Sequence, residues 1–430
     1  MGRKQTTQTL EVYISTSLVG RYMRLHNGAT QFQYDESWLH HKNSFPISCS
    51  MPLSNEIFSG STVEYFFSGL LPDDQDIRET IASRESAESA NIFDLLVVIG
   101  RDCVGALRFL PQGSPSDEME MRFTPVSDDK IAQKLENLGN APLGNDQDSE
   151  NNFRISIAGM QEKTAFLQME GKWCTPLGVT PTSHIFKTAI SNKPNGADLS
   201  NSPWNEWLSL LLCENLGLPS AKSEVKYFNR KPVLIVERFD RMWVDNTLYR
   251  IPQEDLCQAL SIPPNRKYQS DGGPNIQDVM ELLNSSITPL EDRCKFMKAQ
   301  IVFWLLGAID GHAKNFSIFL KHSGHELTPL YDVMSAAPYS QFPIQKMKLA
   351  MAIGNKNYYK IQQIQLRHFY QTAQKAHLAK ENMDEIVNEL SNSVDQALSV
   401  GNKACNEKNA PGSEVEPILE MLAKRAKIIR

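Results

Sequence analysis

The sequence predicts an α+β chain with a β-rich N-terminal domain, a mixed middle lobe and a helical C-terminal lobe. Three observations carry this. Short, partly alternating apolar runs crowd residues 10–36 and return from 153 to about 255, as strands do. From residue 276 onward helical spacing dominates. Between the strand-rich regions, residues 112–150 are polar and acidic, and NAPLGNDQDSENN has the composition of a linker, which puts a boundary near residue 150. The divisions that follow are 1–111, 112–152, 153–255 and 256–430.

In chain order, LEVYIS, SLVGRYMR and ATQFQYDE read as strands, with Asn27-Gly28 turning between the last two. FFSGLLPDDQDIRETIA turns at Pro72 and then reads helical, Asp73 and Asp74 suiting the positive end of the helix dipole. NIFDLLVVIG (91–100) reads equally as a short apolar helix or a strand, and CVGALRFL as a strand. SDDKIAQKLENLG has Ser127 as N-cap and Gly139 as terminator. FRISIAG, TAFLQM, SHIFKTAI, SEVKYF and PVLIVERF read as strands. They are interrupted by the helix SPWNEWLSLLLCENLGLP, with Ser202 as cap, Pro203 at its first position and Gly217 at its end. Trp204, Trp207, Leu208, Leu211 and Leu212 fall on one face of it. Farther on, FSIFL and LTPLYD form a hairpin-like pair joined by KHSGHE, with Asp332 closing the second strand.

Composition narrows the classes. A chain of 430 residues has room for two or three domains at about 150 residues each. With 41% hydrophobic and 22% charged residues it is globular. Lys and Arg total 44 against 50 Asp and Glu, which excludes coating of nucleic acid by net charge and leaves room only for a local basic face. The apolar run IVFWLLGAI (301–309) is stopped by Asp310, far short of the roughly 20 residues a membrane span needs. MGRKQTTQTL lacks the apolar centre of a signal peptide. Seven scattered cysteines without a CxxC pair point to a reducing cytoplasm and no structural zinc.

The most informative stretch is DGHAKNFSIFL, 310–320. The order Asp310, then Asn315 five residues on, strand, turn, strand, Asp332 is what phosphoryl transfer needs. One Asp accepts the proton of the attacking hydroxyl, while an Asn and a second Asp hold Mg²⁺ against the phosphates, hard oxygen donors suiting that ion. The same spacing also fits a solvated turn with a capping Asp and a loop Asn. Lys187 in SHIFKTAI is either a cation for nucleotide phosphates, with Glu206 as its helix partner, or a lysine on the wet face of a strand. RISIAGMQEKTAFL is either an ordinary hairpin or a small phosphate loop in which Gly159 lets backbone N–H groups approach an anion. No GxxxxGK[ST] or GxGxxG occurs, so neither a Walker nor a Rossmann loop is supported. PVLIVERFDR is either an edge strand with a solvated end or a strand offering backbone groups to an adenine edge. His312 is either a ligand or base, or a structural loop histidine.

Taken together, FFSGLLPD, FDLLVVIGRDCVGAL, FRISIAGMQEKTAFL, PTSHIFK, NEWLSLLLCENLGLP, VERFDR, PQEDLCQAL, KYQSDGGP, IDGHAKNFS and LTPLYDVMSA resemble the HipA family, in family order from about residue 65 to 350. That family comprises the serine/threonine kinase toxins of bacterial type II toxin–antitoxin pairs. The resemblance implies a two-lobed fold related to protein and phosphatidylinositol kinases, with residues 153–255 as the N-lobe and 256–430 as the C-lobe. It implies Asp310 as general base, Asn315 and Asp332 as Mg²⁺ ligands and Lys187 as the phosphate-holding cation. Ala158, Gly159, Met160, Gln161, Glu162 and Lys163 would form the phosphate loop. Met160 departs from the small residue usual there. Glu237, Arg238 and Phe239 would face adenine, and His312, Lys314 and Tyr331 would line the ATP site. Ser156 would be the autophosphorylation position. The implied cofactors are ATP and Mg²⁺. The implied partners are a HipB-like helix-turn-helix antitoxin, operator DNA reached through it, and glutamyl-tRNA synthetase as substrate, with growth arrest and persistence as the outcome. Arg367, Lys375, Lys380 and the tail LAKRAKIIR either touch DNA beside the antitoxin or form a solvated face. Two alternatives stand beside this: a small-molecule or lipid kinase on the same scaffold, and a non-catalytic regulator within a DNA-bound complex.

Overall fold

The structure is a computed structural model that describes residues 7–114, 120–138, 163–190 and 199–430. The chain forms two compact units, each discontinuous in sequence. The first comprises Met1–Phe186, Glu237–Asn265 and Phe319–Gly324, the second Lys187–Val236, Arg266–Ile318 and His325–Arg430.

In the first unit a five-stranded antiparallel sheet runs in the order Phe58–Ser59, Thr30–Tyr34, Ser17–Arg24, Gln8–Ile14, Leu107–Pro111. Alternation puts Leu10, Val12, Tyr22 and Phe32 on its buried face. Phe66 and Phe67 of helix Ser61–Gly69 cover them, Tyr22 stacking on Phe67 at 4.0 Å between centroids. Residues 92–99, ambiguous from sequence, are helical. Asn91 caps the helix by accepting from Asp94 N, and burial of Phe93, Leu95, Leu96, Val98 and Ile99 on several sides erases the stripe that would have marked it. Asp74 caps helix Gln75–Arg84 by accepting from Asp76 N and Ile77 N, and Ser127 caps Asp128–Glu136 through Lys130 N. Strands Arg122–Pro125, Lys172–Leu177 and Lys163–Met169 pair antiparallel, and Arg241–Val244 pairs with Thr247–Arg250.

The first unit also buries an ionic cluster. Asp102 takes Arg241 Nη2 and Arg250 Nε at 2.9 Å each, Thr182 Oγ1 at 2.8 Å and Arg238 Nη1 at 3.4 Å. Asp240 accepts from Arg238 at 2.8 and 3.0 Å. Burial, the strongest influence on Asp102, favours its neutral acid. Arg241, Arg250 and Arg238 outweigh it and hold the carboxyl well below the usual carboxylate range.

The second unit is mostly helical, with Ser202–Asn215, Ile276–Leu283, Pro289–Leu306, Leu366–Lys375, Lys380–Glu407 and Gly412–Ala426. Trp304 is its anchor: fully buried, it packs on Phe369, and the Arg425 guanidinium lies 4.4 Å over its ring. Strands Ser223–Phe228 and Lys231–Glu237 form a hairpin whose turn residues, Asn229 and Arg230, both have positive φ.

Several expectations change. Asn201, not Ser202, is the N-cap of helix Ser202–Asn215, because the Ser202 hydroxyl instead accepts from Ile190 N at 2.9 Å. That helix is buried from Ser202 through Leu210, whereas Leu211, expected on the apolar face, is only half-buried. The strand that follows Ser317–Lys321 is Gly324–Leu327, mostly within the expected connector KHSGHE, so Asp332 lies beyond it rather than closing it. A further hairpin, Lys348–Ile353 with Tyr358–Lys360, interrupts the helical region. The expected linker and the run FRISIAG lie outside the described residues. Among the described residues no helix is long and apolar enough to cross a membrane, and no disulfide joins any of the seven cysteines.

Candidate active site

Three backbone segments of the second unit converge on one ion cluster. Strand His184–Thr188 carries Lys187, whose side chain is 8% exposed, with Nζ 2.7 Å from Glu206 Oε1 and 2.9 Å from Asp332 Oδ1. Glu206 is 2% exposed and Asp332 33%, so one carboxylate anchors the lysine from inside while the other meets it at the surface. Burial is the strongest influence on Lys187 and favours the neutral amine, but Asp332 and Glu206 outweigh it and keep the pKa above the ordinary lysine value. Lys187 is therefore a fixed cation, not a solvated strand residue.

Asn205, beside Glu206, holds the backbone three residues beyond Asp332. Its Nδ2 donates to Ser335 O at 2.7 Å and its Oδ1 accepts from Ser335 N at 2.8 Å. Ser335 Oγ in turn donates to Leu306 O and Ala336 N to Gly307 O, satisfying carbonyls at the end of helix Pro289–Leu306. Asp332 has φ +55, a region non-glycine residues seldom occupy, and these bonds after it, with Leu330 N to Pro219 O and Tyr331 OH to Lys314 O before it, hold the backbone there.

The helix Pro289–Leu306 ends at Gly307, φ +65, three residues earlier than Asp310. Asp310 lies in the following loop with its side chain 44% exposed. The loop closes on itself: Asp310 O accepts from His312 N and from Asn315 Nδ2, each at 2.8 Å. Gly311 is required here, since a Cβ would stand 2.4 Å from the Phe303 ring. His312 is buried and its ring packs edge-on against Tyr268 at 4.8 Å. Burial first, with Lys267 assisting, puts its pKa below the ordinary value despite the pull of Asp310 and Asp332. The Lys314 backbone carbonyl accepts from Tyr331 OH at 2.7 Å, and that hydroxyl also meets Ser317 Oγ at 2.6 Å. Tyr331 thereby ties the Asp310 loop to the residue just before Asp332.

Lys187, Glu206, Asp310, His312, Lys314, Asn315, Tyr331 and Asp332 all belong to the second unit. Lys163, Glu237, Arg238 and Phe239 belong to the first. The Arg238 guanidinium is committed to Asp102 and Asp240, and its N–H donates to Ser183 O at 2.9 Å, so neither is open to a base edge. Phe239 meets Phe319 edge-on. Ala158, Gly159, Met160, Gln161, Glu162 and Ser156 lie outside the described residues. Asn205 and Tyr268 were not singled out in the sequence. The signal for Asn205 is an amide inside an otherwise apolar helix, where it must find partners. For Tyr268 it is the Gly-Gly turn that follows.

The donors suit Mg²⁺. Asn315 spends its Nδ2 on Asp310 O, which orients the amide oxygen as an acceptor, and Asp332 supplies a carboxylate. An amide and a carboxylate oxygen are hard donors, and Mg²⁺ takes few of these from protein when phosphates and water complete its shell.

The model of the HipA-like C-terminal domain matches residues 155–398, and that of the HipA N-terminal domain residues 10–110. This chain belongs to the HipA family. "Putative kinase Y4mE" of Sinorhizobium fredii is 35% identical over 357 residues, 82% of each chain. The serine/threonine-protein kinase toxin HipA of Shewanella oneidensis is 28% identical over 81% of this chain and 79% of its own. The solved Shewanella oneidensis complex of HipA, HipB and operator DNA matches with a TM-score of 0.80 at 22% identity, over 97% of both chains, which shows that the HipA fold is shared.

Proposed function

We propose that this HipA-family chain is an ATP-dependent protein kinase that phosphorylates serine or threonine hydroxyls and acts as the toxin of a toxin–antitoxin pair. The observation that carries this is the joining of Lys187 to Glu206 and Asp332, in the unit whose Asp310 loop is locked by Asn315. In this reading Asp310 accepts the proton of the attacking hydroxyl. Lys187, held by Glu206, meets the phosphates, and Asn315 and Asp332 hold Mg²⁺, which would neutralise phosphate charge. Glu237 and Phe239 are the hinge candidates, residues 158–163 the phosphate loop and Ser156 the autophosphorylation position. Two relatives that carry kinase in their names support the chemistry. A relative solved with HipB and operator DNA supports a DNA-binding antitoxin as partner and operon co-repression as a second role. Glutamyl-tRNA synthetase is the proposed substrate, on family resemblance.

The test is mass spectrometry of the purified chain after Mg-ATP, alone and with cell lysate. Phosphoserine or phosphothreonine on protein is expected, and a phosphorylated small molecule without phosphoprotein would favour the other kinase reading. Asp310→Asn should still bind ATP yet transfer at least about a hundredfold more slowly. Transfer at the wild-type rate by this variant would remove Asp310 from the mechanism.

A further inference from the structure

The stretch KYQSDGGP has no role in the scheme above, yet its tyrosine touches the proposed base. We infer that Tyr268 is a positioning residue: its phenol O–H, donated to Asp310 Oδ1, fixes the carboxylate so that the proton of an attacking hydroxyl goes to Oδ2. This rests on the kinase reading and deepens it.

The Asp310 backbone is locked by His312 N and Asn315 Nδ2, but its carboxylate is not. The side chain is 44% exposed, so packing does little to select a rotamer. Among the described residues, the Tyr268 phenol donates the one hydrogen bond that the carboxylate accepts. The next nearest polar contact is His312 Nε2 at 3.9 Å, too long for such a bond.

The tyrosine itself is rigidly presented. Asp271 N and Gly273 N both donate to Tyr268 O, at 3.0 and 2.9 Å. Gly272 has φ +88, and a Cβ on Gly273 would stand 2.2 Å from Arg266 O and 2.8 Å from Tyr268 O. Only two glycines allow so tight a turn. The adjacent Gln269 accepts from Ala352 N at 2.7 Å, pinning the loop to strand Lys348–Ile353. His312, 3% exposed and without a hydrogen-bond partner at Nδ1 among the described residues, walls the phenol edge-on. A buried ring with an unspent nitrogen is a poor choice for stability alone, and here it backs the tyrosine.

Tyr268→Phe keeps the ring and its packing on His312 and removes only the O–H. Phosphoryl transfer should lose about tenfold in kcat, with KM for ATP within about twofold, because misplacing a reacting group costs rate rather than nucleotide binding. In protein carrying ¹³Cζ-tyrosine, the resonance that Tyr268→Phe deletes should move in Asp310→Asn, a readout that requires no turnover. Wild-type kcat in Tyr268→Phe, equal losses in kcat and ATP affinity, or a resonance unmoved by Asp310→Asn would each overturn the assignment while leaving the kinase reading intact. Absence of transfer by the wild-type chain would overturn the kinase reading, and the role of Tyr268 with it.

Discussion

Glu206→Gln removes one buried negative charge at constant shape. In the wild-type chain Glu206 is 2% exposed and 2.7 Å from a lysine that is itself nearly buried. Breaking a buried pair by removing one partner costs about 3–5 kcal/mol. The glutamine oxygen can still accept the lysine N–H and recovers roughly one neutral hydrogen bond, about 1 kcal/mol. Asp332, 2.9 Å away but one-third exposed, remains as a screened counter-charge. The expected loss is therefore about 2–4 kcal/mol of unfolding free energy. Trp204 and Trp207 sit within two residues of position 206 on the same helix, so fluorescence during urea unfolding reports the local event. The lysine should also lose its aim, lowering ATP affinity by about tenfold, or 1.4 kcal/mol, read by calorimetry. A double-mutant cycle with Lys187→Met isolates the pair and should show a coupling of at least about 1 kcal/mol. Additive single effects, with unfolding within about 0.5 kcal/mol of wild type, would refute the argument that this pair is what fixes the lysine.

Two further outcomes are expected. Asp332→Ala should weaken ATP binding more when Mg²⁺ is present than in its absence, because in the proposed scheme the carboxylate acts through the ion as well as pairing with Lys187; equal losses in the two titrations would make Asp332 structural. Asp102→Asn leaves three arginines around a neutral amide and should cost about 3–5 kcal/mol. Because folding lowers the Asp102 pKa, its contribution is present above the unfolded value of about 4 and is lost as pH falls toward the folded one. Acid-induced loss of stability below about pH 4 should therefore be shallower in the variant than in the wild type, and parallel curves would contradict the ionised state of Asp102.

The sequence by itself determined the parts that depend on near neighbours. Strands Ser17–Arg24 and Thr30–Tyr34, the cap Ser127, the acidic start of helix Gln75–Arg84 and the terminating Gly217 were legible because each is decided within a few residues, whereas Asp74 is the cap rather than a first-turn residue and Pro203 is second in its helix rather than first. The order Asp310, Asn315, Asp332 was legible as a pattern that fits phosphoryl transfer or a solvated turn, and the motifs from FFSGLLPD to LTPLYDVMSA were enough to identify the family. It left two readings open for Lys187 and for Glu206, since a strand lysine and a helix glutamate look the same whether solvated or paired. Only the tertiary structure decided between them: Lys187 meets Glu206 from 19 residues away and Asp332 from 145. Tyr268 meets Asp310 across 42 residues, and Asn205 meets Ser335 across 130. No local periodicity encodes such contacts. The same physics moved the cap of helix Ser202–Asn215 to Asn201, once Ile190 N, 12 residues earlier, claimed the Ser202 hydroxyl. A buried polar group takes whichever partner the fold brings to it, and that partner is fixed only when remote segments pack together.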